Sequence, residues 1–461
     1  MYNAKIMSPS RIDMDNDRGA QFSTITKVSY RSLTTLAALI ALKVTLDLAY
    51  WFIVPLVNYY AIAARDFSLV KLLESYALLL LLYPFIPQSK KLSDFTLWMF
   101  ILLSYVPMLT VYPFQDRSRV FMYGCTLFWV CVIGLKVLFK AVRDLPLLRP
   151  SQAKKTVILL YALLICFSFF LIFRYLSLSV IFDMTKVYEV RAKFNEAALP
   201  FRGYSLHWLA NVFNTIFFAL FIVQRRWLLL GCVILMQLLL ASAIGYRTYF
   251  FVLPYVGVLM WVVSRPNPYR RVVSSIVAIL WLSIALVLVS DDRQLFLFVA
   301  GTPLLAHAQL SFLYYDYYST HAALPFEYIF NFYLKQPVFG AGAGLEPSYI
   351  IGRQYYDDVT LGAVTGVVGD GYMNLGFVGL GLWALLLAAI LCAIDSCSIK
   401  LDRRIAIGAI AMPSMAITHT YLVRALFTSG LILGLVVLYL IMCSANAPSS
   451  ATRMRPKSPV V

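Results

Sequence analysis

Residues 373–393 read MNLGFVGLGLWALLLAAILCA, 21 residues without a single charge. A helix that crosses a bilayer needs about 20 predominantly apolar residues, so this stretch is a span on its own. Working outward from it, further apolar runs lie near 33–57, 69–87, 94–112, 119–139, 156–173 and 205–223. Others follow near 227–244, 247–264, 272–290, 405–421 and 425–443. The 461-residue chain is 61% apolar and 13% charged, with a mean hydropathy of +0.77. A soluble domain is about half apolar and about a quarter charged, so one water-surrounded core cannot hide this excess. A soluble enzyme, a nucleic-acid-binding module and a secreted disulfide scaffold are excluded. The expected fold class is an all-α polytopic membrane protein with about 12 transmembrane helices.

The gaps between runs sort by charge. One set holds Lys90 and Lys91, Lys140 to Lys155, Arg225 and Arg226, Arg265 to Arg271, and Lys400 to Arg404. With both tails and Lys136 it carries 24 of the 39 Lys and Arg residues, which makes that side cytoplasmic by the positive-inside rule. The expected division is a cytoplasmic tail at 1–32, a bundle at 33–290 with an external loop at 175–204, and a large external loop at 291–372. Spans at 373–443 and a cytoplasmic tail at 444–461 complete it. Residues 1–32 show no apolar run leading to a cleavage site, so no cleavable signal is expected.

Of the 14 basic residues on the other side, ten are Arg. A guanidinium grips phosphate through a planar fork, whereas Lys acts as a point charge. Together with the net charge of +17, this points to an anionic, phosphate-bearing lipid rather than to nucleic acid. The 291–372 loop is rich in aromatics from Tyr314 to Tyr333, and stretches such as Leu295–Leu305 read as amphipathic segments lying at the surface or dipping into it. The seven cysteines fall in spans or on the cytoplasmic side, so they predict neither an exported disulfide nor a zinc site.

No GxxxxGK[ST] loop occurs, which argues against ATP-driven transport by this chain. The pairs Asp291–Asp292 and Asp357–Asp358 offer carboxylates for a cation but fall short of a cage, and no metal or other cofactor is expected. Lys43 and Asp47, one helical turn apart in the first run, are placed to pair. The stretch 340–381, GAGAGLEPSYIIGRQYYDDVTLGAVTGVVGDGYMNLGFVGLG, sets Arg353, Asp370, Tyr372 and Asn374 where the large loop re-enters the membrane. Gly376, Gly379 and Gly381 then carry the small-residue spacing that lets helices approach closely.

In this layout the chain resembles the bacterial oligosaccharide repeat-unit (O-antigen, Wzy-type) polymerases. The matching features are the large outer loop late in the chain, the Asp370-Gly371-Tyr372-Met373-Asn374-Leu375-Gly376-Phe377-Val378-Gly379 approach to the next span, and Gly245-Tyr246-Arg247. The resemblance implies a GT-C-like membrane glycosyltransferase, without a cofactor, acting on an undecaprenyl-diphosphate-linked oligosaccharide at the periplasmic face of the inner membrane. It implies a chain-length regulator protein and a flippase as partners, besides membrane lipid. On that reading Arg191, Arg202, Arg247, Arg353 and Arg424, with Tyr372 and Asn374, bind diphosphate and glycan. Asp370, Glu346 or His321 removes the acceptor's proton, His307 being a weaker choice. Two alternatives remain: an O-antigen ligase-like glycosyltransferase, and a flippase or transporter of lipid-linked glycan, for which internal repeats are expected and none is evident.

Overall fold

The computed structural model describes the backbone of residues 17–57, 66–139, 150–175, 202–244, 247–321, 346–399 and 401–445. Side chains are described for these residues from 32 onward, except at 150, 170–175, 202–203, 244, 247 and 445. Among the described residues all extended secondary structure is helical, apart from a lone bridge between Asp66 and Gln115. In chain order the helices are α1 (Asp17–Leu48, continuing to Val57), α2 (Leu69–Leu82), α3 (Leu92–Phe114), α4 (Arg119–Leu138) and α5 (Pro150–Tyr175). Next come α6 (Tyr204–Gln224, its first turn opening at Arg202), α7 (Trp227–Ile244), α8 (Arg247–Val263), α9 (Pro268–Ser290) and α10 (Gln294–Tyr318). The last are α11 (Pro347–Tyr356), α12 (Val367–Ser398), α13 (Arg403–Ala416), α14 (Leu422–Leu426) and α15 (Leu431–Ala445).

Among the described residues nine helical stretches are long and apolar enough to cross a membrane: α1, α3, α4, α5, α6, α9, α10, α12 and the run Leu422–Ser444. Large apolar side chains also face outward, with Leu228 80% and Val289 87% exposed, while Trp98, Trp129 and Phe213 are sealed inside. A bundle apolar on both its inside and its outside is stable only when lipid surrounds it. The chain is a multi-pass, all-helical membrane protein.

Eight of the nine stretches lie where the apolar runs predict spans. The ninth, α10, falls inside the large loop, where amphipathic segments lying at the surface or dipping into it are expected; three residues separate it from the end of α9, and Asp316 in its last turns pairs with Arg117. His307, Gln309, Ser311 and Asp316 interrupt its apolar sequence. Gln309 and Ser311 are nonetheless buried, and Gln115 and Arg117 of the α3–α4 connection supply partners for Gln309 and Asp316. Runs 69–87, 227–244, 247–264 and 405–421 form the shorter helices α2, α7, α8 and α13. With 14 residues α13 is about 21 Å long, well under the roughly 30 Å of a hydrocarbon core.

Polar contacts mark the two ends of the bundle. At one, Ser93 donates to Asp395 (2.7 Å), Lys136 pairs with Asp94, and the Tyr269 hydroxyl donates to the Ser89 carbonyl. At the other, the Asp66 N–H donates to the Phe114 carbonyl (2.9 Å), Lys71 pairs with Asp116 (2.7 Å) and Arg117 with Asp316 (2.7 Å). Between them, Lys43 and Asp47 pair within α1 at 2.6 Å. The Asp47 carboxylate also accepts from Tyr76 of α2 (2.8 Å) and Thr110 of α3 (2.9 Å), so one buried charge pair ties three helices together.

The break in α12 positions everything that follows. At Leu375 (φ −145°, ψ 25°) and Gly376 (φ 59°, ψ −140°) the helix stops and the chain doubles back. The Gly376 conformation is one that only glycine adopts without strain. A Cβ on Gly379 would strike the Gly371 carbonyl, and a Cβ on Gly371 would sit 3.3 Å from the Gly379 carbonyl and from Trp383. Of the glycines expected to permit close packing, Gly379 does so, with Gly371, between two arms of the same element: a short arm, 367–374, and a long arm, 377–398. Gly376 makes the turn, and a Cβ on Gly381 would meet nothing within 4 Å.

Candidate functional site

The short arm of α12 carries Asp370, whose carboxylate is fully buried. Its Oδ2 accepts from the indole N–H of Trp383 on the long arm (2.8 Å) and from the backbone N–H of Leu422 (2.8 Å). The Asn374 amide donates to Asp370 Oδ1 (3.1 Å) and to the Asp370 carbonyl (2.7 Å). Leu422 opens α14, so Asp370 supplies from another helix the acceptor that a capping side chain normally gives to an orphan first-turn N–H. Trp383 lies six residues beyond Phe377, about 9 Å along the axis. Asp370 is therefore sunk well below the turn of the hairpin.

The one-turn helix α14 projects Arg424 back toward the short arm's side of the bundle. Its guanidinium lies 5.4 Å from the Tyr421 ring centre and donates to Glu346 Oε1 at 2.8 Å. Ser348 donates to the same carboxylate oxygen at 3.0 Å. Both partners are partly open, with 19% of the Arg424 side chain and 22% of the Glu346 side chain exposed. Beneath them the Tyr314 and Tyr421 hydroxyls are 2.8 Å apart, and Tyr314 donates to the Ala363 carbonyl (3.0 Å). Four separate segments, α10, the start of α11, α12 and the α13–α14 turn, thus converge on one patch.

Beside it lies an aromatic wall. Tyr372, nearly buried, packs against Tyr315 (4.9 Å), Phe377 (5.3 Å) and Phe121 (5.5 Å). Arg117 flanks this wall but is braced twice, donating to Gln115 Oε1 (2.7 and 2.9 Å) and to Asp316 (2.7 Å). Gln115 in turn donates to Gln309, and Gln309 to the Tyr356 hydroxyl (3.1 Å).

Asp370, Glu346, Arg424, Tyr372 and Asn374 are thus brought into one region. His321 is exposed after the last turn of α10, its ring stacked on Tyr317 at 4.1 Å, with Nδ1 3.0 Å from the Tyr317 carbonyl. Arg353 is exposed in the last turn of α11. Arg202 and Arg247 open α6 and α8, but their side chains, and Arg191 entirely, lie outside the described residues. His307 faces His419, ring centres 5.6 Å apart. The two Asp pairs shape turns: Asp292 accepts from the Gln294 N–H (2.9 Å), and Thr360 donates to Asp358 from its N–H and its hydroxyl. Those bonds hold the Asp358 carboxyl below its usual range. Among the described residues no three His, Cys, Asp or Glu side chains gather as metal ligands.

Trp383, Tyr314, Tyr421 and Ser348 were not singled out from the sequence as members of the site. Trp383 stands 13 positions from Asp370 inside an apolar run, and only the doubling back at Gly376 brings it near. The available signal was chemical: a buried indole N–H needs an acceptor, and the run offers none. The assembled patch sets a partly open, tyrosine-backed guanidinium beside a carboxylate, a pairing whose cation can hold an anion. Comparison of the chain with protein-family models, curated proteins and solved structures found no match.

Proposed function

We propose that the chain is a GT-C-type membrane glycosyltransferase that polymerises undecaprenyl-diphosphate-linked oligosaccharide repeat units into a surface polysaccharide of O-antigen or capsule type. The observation that carries this reading is the Arg424–Glu346 pair, partly open and set beside the Asp370 hairpin and the Tyr372 wall. Arg424 grips the donor's diphosphate and stabilises the charge that grows on it as the glycosidic bond breaks. Glu346 removes the proton of the acceptor hydroxyl as its oxygen attacks the anomeric carbon. Asp370, sealed by donors from three segments, positions the α14 turn that bears Arg424 rather than taking the proton itself. Twelve spans, with both termini in the cytoplasm of a bacterial inner membrane, put this end of the bundle in the periplasm. A chain-length regulator and a flippase are the expected protein partners.

A ligase-like transferase is the second reading, favoured by the exposure of His321, stacked on Tyr317 after the last turn of α10. Two measurements decide. In a deletion strain, a surface glycan stopping at one repeat on the core supports polymerase, and bare core supports a ligase or a flippase. Chain extension of purified lipid-linked repeat units by the wild-type protein, lost in Arg424→Ala, supports the assigned site. An unchanged glycan ladder in the deletion strain rules out both.

A further inference from the structure

We infer that Glu346 occupies Arg424 as a built-in substitute for the ligand's anionic group, so that binding of a diphosphate and release of Glu346 as a base are one event. The inference rests on the glycosyltransferase reading and adds a regulation of its site.

Other ion pairs differ from this one. Lys43–Asp47, between the two ends of the bundle, is closed, with 0% and 10% of the two side chains exposed. Arg119–Glu74 is open, with 49% and 25% exposed, but it joins the longer helices α4 and α2, and Glu74 also accepts from the Tyr112 hydroxyl. Arg117 is locked by Gln115 as well as by Asp316. Lys71 is tied to two backbone carbonyls, of Asp116 (2.9 Å) and Arg117 (2.6 Å), besides the Asp116 carboxylate. Glu346–Arg424 alone among these joins two short elements 78 residues apart, α11 and α14, where about a fifth of each side chain meets the outside. Arg424 has an aromatic support in Tyr421 that persists whichever anion it holds. Glu346 has an alternative partner in Ser348, which can keep the carboxylate nearby after Arg424 lets go.

The chemistry follows from exchange. A diphosphate carries more charge than a carboxylate and matches the guanidinium fork, so it displaces Glu346. The freed carboxylate, kept nearby by Ser348, is then open to the acceptor hydroxyl. The acceptor hydroxyl oxygen forms a bond to the anomeric carbon, and its proton passes to Glu346. The bond from that carbon to the diphosphate breaks, and the electron pair leaves with the lipid diphosphate on Arg424. Departure of that product lets Glu346, once its proton is lost to water, return to Arg424. Without donor the base stays neutralised, so water is not activated idly.

The test uses full-length protein in lipid nanodiscs with inorganic pyrophosphate as the probe and titration calorimetry as the readout. Glu346→Gln removes the competing charge and should bind pyrophosphate roughly three- to tenfold more tightly than wild type, the range expected for loss of a partly exposed ion pair. The same variant should lose about a hundredfold or more in chain extension. Tighter binding joined to lost turnover is a combination that a merely structural glutamate does not give. Pyrophosphate affinity equal to or weaker than wild type overturns the inference while leaving the glycosyltransferase reading standing. Ser348→Ala leaves the ion pair but loosens Glu346, and it serves if Glu346→Gln fails to fold. Chain extension should slow in it more than pyrophosphate binding changes, and an unaltered rate overturns the inference. If wild-type protein neither binds pyrophosphate nor extends chains, the reading itself falls, whatever the variants do.

Discussion

Replacing Asp370 by Asn separates holding a helix from moving a proton. In the folded protein Oδ2 accepts from Trp383 and Leu422, while Oδ1 faces the Asn374 amide. An asparagine can put its carbonyl oxygen where Oδ2 stands and keep both of those bonds, now neutral rather than charge-assisted. Its NH2 then confronts the Asn374 NH2, which must rotate and give up its 2.7 Å bond to the Asp370 carbonyl. Hydrogen bonds to charged groups contribute about 1.5–3 kcal/mol and neutral ones about 0.5–1.5 kcal/mol. Burying a neutral amide instead of a carboxylate offsets part of the loss. The expected cost of Asp370→Asn is about 1–3 kcal/mol, with chain extension within tenfold of wild type. Asp370→Ala leaves the Trp383 and Leu422 donors without an acceptor at about 1–3 kcal/mol each, so about 2–6 kcal/mol is expected. Denaturant unfolding in detergent gives the stabilities, and chain extension of purified lipid-linked repeat units gives the rate. An Asn variant as stable as wild type but a hundredfold or more slower would refute the reasoning and return Asp370 to the role of general base.

Three further outcomes are expected. Gly376→Ala meets no atom within 4 Å, yet must adopt φ 59° and ψ −140°; its destabilisation of about 1–3 kcal/mol should therefore be pure backbone strain, and a neutral effect on unfolding would mean the turn relaxes freely. Lys43→Met strands a buried Asp47 charge and should cost about 3–5 kcal/mol, while Lys43→Met with Asp47→Leu should recover most of it; additive losses in the same unfolding experiment would contradict the pairing. The Arg404 side chain holds the Asp402 carboxyl below its usual range, so this interaction stabilises the fold above the unfolded carboxylate pKa and is lost as pH falls through the lower folded value. Asp402→Asn keeps the cap on the Arg404 N–H but not the charge; its melting-temperature deficit should be largest at neutral pH and vanish in acid, and a pH-independent deficit would exclude that linkage.

Most of the spans were legible because lipid imposes a simple rule on sequence: about 20 apolar residues for each crossing. For α10 the rule gives only length and composition; that its Gln309 and Asp316 meet Gln115 and Arg117 is set by tertiary packing. The expected 405–421 span also runs beyond the 14-residue helix observed, because Ile417 to Tyr421, three of them Thr or His, form turns rather than helix. At the candidate site, Asp370 and Asn374 were visible as polar residues just ahead of an apolar run, and Gly376 and Gly379 as small residues with a packing role. The sequence spacing suggested that those glycines face another helix. Gly379 faces its own short arm, because Leu375 and Gly376 reverse the chain, and nothing in helical periodicity announces a reversal. The contacts of Asp370 with Trp383 and Leu422, and of Glu346 with Arg424, depend on that reversal and on the α14 turn. Pairings of this kind, 13 to 78 positions apart, are fixed by tertiary packing rather than by any local pattern.

The doubled-back arm of α12 also sets an order of assembly. Its long arm, residues 377–398, is about 33 Å of helix and can enter the bilayer as soon as it is synthesised. The short arm, at about 12 Å, cannot cross, and its carboxylate is costly to bury in lipid without donors. One of those donors, Leu422, lies 52 residues downstream of Asp370 and is made only after α13. A nascent chain halted before that turn thus holds an inserted long arm and an Asp370 still lacking one of its buried donors. The site is the last part of the protein to form, completed when the C-terminal helices dock.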